Sequence, residues 1–149
     1  MQCATTTRRE MKMAEVKVKA QGNQFKQEIR TPAHVFSSDA PTKAGGEYTA
    51  PEPHELLLGA LGACTSITMQ MYAKHKGWDL KNIEIKLSEE EAEDPDNPGQ
   101  KISKISRDIK VEGNLAQDQI DGLKRVADKC PIHKLLNGPK KIATTIELN

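Results

Sequence analysis

Hydrophobic and polar positions change rhythm several times along the chain. From Ala14 the period is two: Ala14, Val16, Val18 and Ala20 alternate with Glu15, Lys17 and Lys19, which predicts a half-buried strand. Gly22-Asn23 is a turn signal, and Phe25, Gln27 and Ile29 continue the alternation as a second strand. Pro32 interrupts, and His34 to Ser37 make a short third, so the three read as an antiparallel meander. Residues 39–52 (DAPTKAGGEYTAPE) carry no period and predict a long loop, a kind that often lines a site.

From Pro53 to Gly77 the pattern is nearly continuous apolar. Leu56, Leu57, Leu58, Ala60, Leu61, Ala63, Ile67, Met69 and Met71 leave almost no polar face in the first half. A helix apolar all round is expected to be buried. Pro53 suits its first turn, and Gly77 suits a left-handed stop. Gly59 and Gly62 each lower helix propensity by about 1 kcal/mol relative to Ala. Their presence predicts close approach by another backbone.

Beyond this helix, Ile83, Ile85 and Leu87 alternate with Glu84 and Lys86 as a fourth strand. The acidic run Glu89 to Gln100 (EEEAEDPDNPGQ) reads as a solvated connection. A fifth strand runs from Ile102 to Glu112, with Ile105, Arg107, Ile109 and Val111 on one face. An inward Arg107 requires an anion partner or an edge position. Ala116, Ile120, Leu123, Ala127 and Cys130 then recur at helical spacing. Pro131 disfavours helix at Cys130, so a second short helix is expected over Pro131 to Leu136, ending at Asn137-Gly138-Pro139. Ile142, Thr144, Ile146 and Leu148 predict a last strand. Strands in runs, rather than alternating with helices, make the class α+β with antiparallel sheets packed around a buried central helix.

Composition narrows the function classes. The chain has 149 residues, 29% charged and 36% hydrophobic, which suits one soluble domain. Its net charge of +1 and 3% aromatic content argue against a nucleic-acid surface. The central helix reads as too polar in its second half for a membrane span. The N-terminus carries charge without an apolar core segment, so no secretory signal is expected and the protein is placed in the cytoplasm. Residues 1–13 show no period and are expected to form a disordered tail ahead of one domain over 14–149. Three cysteines in such a chain read as thiols, not a disulfide scaffold.

Two of those thiols have distinct settings. Cys64 lies mid-helix among apolar residues, where burial raises a thiol pKa and a packing role is the plain alternative to reactivity. Cys130 immediately precedes Pro131, at the start of a helix with Lys129, His133 and Lys134 nearby. Those surroundings favour thiolate, while a helix-end core cysteine is the competing reading. Cys3, in the tail, has no activating neighbour. Cys130 and His133 have the C-x-x-H spacing of a metal half-site that Cys64 or His54 could complete, but zinc sites usually pair two such clusters. No metal and no cofactor are expected.

The run ELLLGALGACTSITMQMYAKHKGW (Glu55 to Trp78) resembles the central-helix signature of the OsmC/Ohr family. The run ADKCPIHKLL (Ala127 to Leu136) resembles that family's second-cysteine signature, and the strand order matches over residues 14–149. The resemblance implies an OsmC-like fold assembled as an interwoven homodimer. It implies a thiol peroxidase that reduces organic hydroperoxides, and hydrogen peroxide more weakly, in oxidative-stress defence. Cys64 would be the peroxidatic thiol and Cys130 the resolving one, with an external dithiol reductant as partner. A sulfenic acid in an apolar site is sheltered, and a second thiol traps it.

Family members of the Ohr type pair an early-strand arginine with a glutamate ten residues before the peroxidatic cysteine. Here that position is His54, and Glu55 is nine before. On a regular helix Glu55 points about 180° from Cys64, and His54 about 80°. Arg30 is the nearest early-strand arginine, and Arg107 is a second candidate cation. Without the Arg–Glu pair, a non-catalytic OsmC-fold protein that binds a small apolar ligand is the alternative function.

Overall fold

The computed structural model describes residues 14–22 and 24–148. The expected tail over 1–13, with Cys3, lies outside the described residues, as does Asn23 of the first turn. The chain divides into two compact units, one ending at Pro53 and the other beginning at His54.

The first unit is the expected meander. Strands β1 (Lys17–Ala20), β2 (Gln27–Arg30) and β3 (Val35–Ser38) form a three-stranded antiparallel sheet in that order. Val18 faces Ile29, which faces Phe36, so one row of apolar side chains crosses the sheet. The expectation that the first strand is half-buried is not met: all four residues of β1 are exposed, with Val18 at 61%. The alternation was sound, but among the described residues that face of β1 is left exposed. The loop after β3 is more ordered than its composition suggests. It holds one 3-10 turn (Thr42–Ala44) and folds back on Asp39. The Asp39 carboxylate accepts from the Ala40 N–H (2.8 Å), the Thr49 N–H (2.9 Å) and the Thr49 hydroxyl (2.9 Å).

The second unit is built on helix α1 (Pro53–Lys76), closed by Gly77 at φ 68°. It packs against the hairpin of β4 (Asp79–Glu93) and β5 (Lys101–Asn114), helix α2 (Gln117–Ala127) and helix α3 (Pro131–Asn137). Both hairpin strands outrun their expected lengths. Glu89 to Glu93, expected in the connection, pair with Lys101 to Ile105. Cross-strand charge supports them: Glu90 meets Lys104 at 3.2 Å, and Glu91 meets Lys101. The core joins α1 to α2 through Met69, Ala73, Leu123, Val126 and Ala127, flanked by Trp78, Ile83, Ile109 and Val111. Full burial of Met69 or Leu123 contributes about 2–3 kcal/mol each.

Three expectations are corrected here. First, α1 is not buried all round. Leu61, Gly62, Thr65, Met69 and Ala73 form its buried stripe, while Ile67 and Met71 on the other side are exposed. One hairpin and two shorter helices do not enclose a cylinder about 10 Å wide. Second, the close approach falls on Gly62 alone, and it is made by a side chain. A Cβ there would stand 2.7 Å from Leu87 Cδ1, whereas Gly59 faces open space. Third, the last strand is absent among the described residues. Ile142, Ile146 and Leu148 have no ladder partner and are more than nine-tenths exposed. An alternating segment becomes a strand only where an edge receives its backbone donors and acceptors.

By length and composition, α1 would also suffice to cross a membrane, contrary to the sequence expectation. The argument for a core helix is instead its packing: the stripe from Leu61 to Ala73 lies on β4, β5 and α2.

Candidate functional site

Cys64 sits in the middle of α1, half-buried. Thr65 donates to the Leu61 carbonyl at 2.8 Å, and Thr68 donates to the Cys64 carbonyl at 2.7 Å. These back-bonds let two hydroxyls sit in an apolar helix at little cost. Cys130 is the residue before α3, fully buried, with backbone angles outside the helical region as Pro131 requires. The fold brings the two thiols close enough for each to influence the other's ionisation.

Their surroundings are unequal. Burial pushes the Cys64 thiol up, and its hydrogen bond to Cys130 adds to this; the Ile132 N–H and Thr68 hydroxyl oppose both. Burial also pushes up on Cys130. There it is outweighed by donors: the Cys64 thiol, the His133 N–H, the Thr65 hydroxyl and the Ile132 N–H. The net direction at Cys130 is downward.

Arg107 meets the requirement its inward position raised. Its side chain is 13% exposed and its guanidinium ties three elements together. Nη1 donates to Thr65 Oγ1 at 2.9 Å and to the Ala127 carbonyl at 3.1 Å. Nη2 donates to Asp128 Oδ1 at 2.7 Å and to His133 Nδ1 at 3.0 Å. A guanidinium can only donate, so His133 Nδ1 is the acceptor in that contact, and His133 Nε2 lies 2.9 Å from Asn137 Nδ2.

Of the other sequence candidates, two lie in the first turn of α1 and one in the first unit. His54, in the first turn of α1, pairs through Nδ1 with Glu89 Oε2 at 2.6 Å, and Glu89 also accepts from the Ser103 hydroxyl. The Ser103 and His54 bonds hold the Glu89 carboxyl below the usual range. Glu55 lies in the same exposed first turn, and α1 is regular, so its projection away from Cys64 stands. Arg30 belongs to the first unit, where it pairs with Glu28 at 2.9 Å. Sequence reasoning missed Thr65 and Asp128. The available signal was Thr65 next to Cys64, a hydroxyl on the apolar stripe. A cavity of about 410 Å³ opens beside Arg107 and His133, with walls from Leu57, Leu61, Ile105 and Leu136; neither sulfur lines it. Among the described residues, no three His, Cys, Asp or Glu side chains gather as a metal site.

The family model described as OsmC-like protein matches residues 42–145. The chain belongs to the OsmC-like family. Solved structures agree with that fold. An OsmC-like protein from Mycoplasma pneumoniae superposes with a TM-score of 0.70 at 18% identity, covering 86% of this chain and 89% of that one. The organic hydroperoxide resistance protein OsmC of Legionella pneumophila gives 0.64 at 18% identity, covering 86% and 91%. The organic hydroperoxide resistance protein OhrB of Bacillus subtilis gives 0.58 at 19% identity, covering 85% and 91%. No curated protein matches the chain. At these identities the likeness fixes the OsmC-like architecture, and the chemistry has to be argued from the chain's own residues.

Proposed function

We propose that this OsmC-like protein is a thiol-dependent peroxidase that reduces organic hydroperoxides, and hydrogen peroxide more weakly. The observation that carries the reading is the pairing of Cys64 with Cys130. Two thiols from separate motifs, one half-buried and one fully buried, lie close enough to influence each other's ionisation. Cys64 is the sulfur a substrate can reach, so it attacks the distal oxygen. The O–O bond breaks, the alcohol leaves, and Cys64 holds a sulfenic acid. Cys130 then displaces hydroxide to form the disulfide, and an external dithiol restores both thiols. The organic hydroperoxide resistance proteins of similar fold support the substrate class.

The same reading makes the working form a cytoplasmic homodimer with interwoven subunits. The uncovered face of α1 and the unpaired alternating segment 142–148 are the surfaces a second copy would cover.

Intact mass after a small excess of cumene hydroperoxide tests the chemistry. The expected result is a loss of about two mass units, reversed by dithiothreitol and mapped to Cys64–Cys130. An unchanged mass, or peroxide consumption undiminished by Cys64→Ser, refutes it.

A second reading is favoured by the cavity beside Leu57 and Leu61, which no sulfur lines. In it the protein binds a small apolar ligand and the cysteines are core. Saturable binding of an apolar fluorophore, abolished by Leu61→Glu and indifferent to thiol oxidation, would support that alternative.

A further inference from the structure

We infer that the cavity between α1, the β4–β5 hairpin and α3 takes an amphiphile whose polar end donates hydrogen bonds, an alkylammonium in its simplest form, and that Glu89 is the residue that selects that end. As a statement of which hydroperoxides are reduced, this rests on the thiol-peroxidase reading above; as a binding site it does not.

The cavity holds about 410 Å³, a volume typical of small-molecule pockets. Leu57 and Leu61 of α1, Ile105 of β5 and Leu136 of α3 make its apolar wall. On α1, Leu57 and Leu61 point within about 20° and 60° of Cys64, roughly two turns and one turn nearer the helix start. Arg107, which lines the cavity, also holds Thr65, the residue after Cys64. One end of the cavity therefore adjoins the turn that carries Cys64. Glu89 marks the other end. It bonds His54, ten residues before Cys64 and so about 15 Å away along the helix axis. A molecule lying on the apolar wall presents one end toward the thiol and the other to Glu89.

The polar groups at this wall are short of donors. Ser103 gives its one hydroxyl proton to Glu89 Oε1, so its oxygen is left only to accept. A carboxylate only accepts, so His54 donates through Nδ1 to Oε2, at 2.6 Å. These two bonds use two of the roughly four lone-pair sites of the carboxylate. His133 accepts from Arg107 through Nδ1 and meets Asn137 through Nε2. Arg107 is the group that could have held an anionic ligand. Four of its five N–H groups are already given to Thr65, the Ala127 carbonyl, Asp128 and His133. Asp128, at 2.7 Å, balances its charge. Acceptors remain, on Glu89 and Ser103, and they call for a donor.

Charge decides in the same direction. The Ser103 and His54 bonds keep the Glu89 carboxyl below the usual range, so it is ionised at neutral pH. Its side chain is 23% exposed, whereas the His54 ring on its outer side is 70% exposed and screened by water. A carboxylate head brought to this end meets a like charge and few donors. An ammonium head forms charge-assisted bonds to the free lone pairs. On the peroxidase reading, the molecule reduced has an apolar body and an ammonium, amide or hydroxyl group at the end far from its O–O bond, and carboxylates are discriminated against.

Displacement of N-phenyl-1-naphthylamine from the reduced protein, at about pH 7.5 and without peroxide, tests the site. Octylammonium, octanol and octanoate share a chain and differ in the head. Octylammonium is expected to displace the fluorophore at about one tenth of the concentration octanoate requires, with octanol between them. Glu89→Gln should bring the octylammonium and octanoate midpoints within about twofold of each other and leave that of octanol in place. Leu136→Trp, which narrows the apolar wall, should weaken all three together. Octanoate displacing at a lower concentration than octylammonium, or no displacement by any of the three, overturns the inference whether or not a variant folds. So does an unchanged preference in folded Glu89→Gln, or unchanged midpoints in folded Leu136→Trp. Cys64→Ser should bind like the parent, so a protein inert to hydroperoxide still gives this answer.

Discussion

Arg107 on β5 donates to the hydroxyl of Thr65 on α1 across 2.9 Å, and Thr65 is the residue after Cys64. Helical geometry separates their directions by about 100°. Cys64 therefore stays half-exposed while Thr65 turns fully inward, toward the strand face that also carries Ile105 and Ile109. A strand period of two puts Arg107 on that face, and the antiparallel register sets it opposite Leu87. A hairpin more than 40 residues downstream in sequence thus holds the neighbour of Cys64 through one hydroxyl.

Cys130→Ser should separate the two chemical steps. With no resolving thiol, one equivalent of hydroperoxide is expected to leave a sulfenic acid on Cys64, a gain of about 16 mass units, and excess oxidant to carry it to sulfinic acid at about 32. Catalytic turnover should be lost. Intact mass spectrometry reads all three outcomes, and a Cys130→Ser protein that still turns over would assign resolution to another group.

The uncovered face of α1 predicts association. Ile67 is 55% and Met71 68% exposed on that helix. Ile67→Asp should shift sedimentation from dimer toward monomer while the helical circular dichroism is retained. A buried carboxylate without a partner is costly at an interface and nearly free on an open surface. An unchanged sedimentation coefficient would exclude this face from the interface.

Leu123→Ala should act on stability alone. Leu123 is 1% exposed within the cluster that joins α1 and α2. Truncation is expected to cost about 2–5 kcal/mol, read as a lowered denaturation midpoint. The loss of about two mass units on peroxide treatment should survive wherever the protein remains folded.

The Asp39 carboxylate should shape acid stability. The Thr49 N–H holds it below the ordinary carboxylate range against the opposing effect of burial, helped by the Thr49 hydroxyl and the Ala40 N–H. A folded-state value below the unfolded one, about 3.9, contributes stability above that pH and loses it as pH falls through the folded value. Asp39→Asn should therefore lower the melting temperature at pH 7. Between pH 7 and pH 3 its melting temperature should fall less than the parent's. Parallel curves for the two proteins would remove Asp39 from the acid transition.

Periodicity by itself determined most of the elements. The meander, the long helix from Pro53, the hairpin strands and the break at Pro131 each follow from local rules that no distant contact overrides. The inward face of Arg107 was legible for the same reason, since a strand fixes side at every second residue. Glu89 to Glu93 read as loop because charge and proline suggest solvent; cross-strand Lys101 and Lys104 made them strand. Segment 142–148 carries a strand's alternation and has no ladder partner among the described residues, because alternation states which side is apolar and an edge must come from elsewhere. The candidate site divides along the same line. Its cysteines stood out in the sequence as two motifs. Their proximity and the bond from Arg107 to Thr65 came only with the tertiary structure, because contacts between residues more than 40 positions apart leave no local period to read.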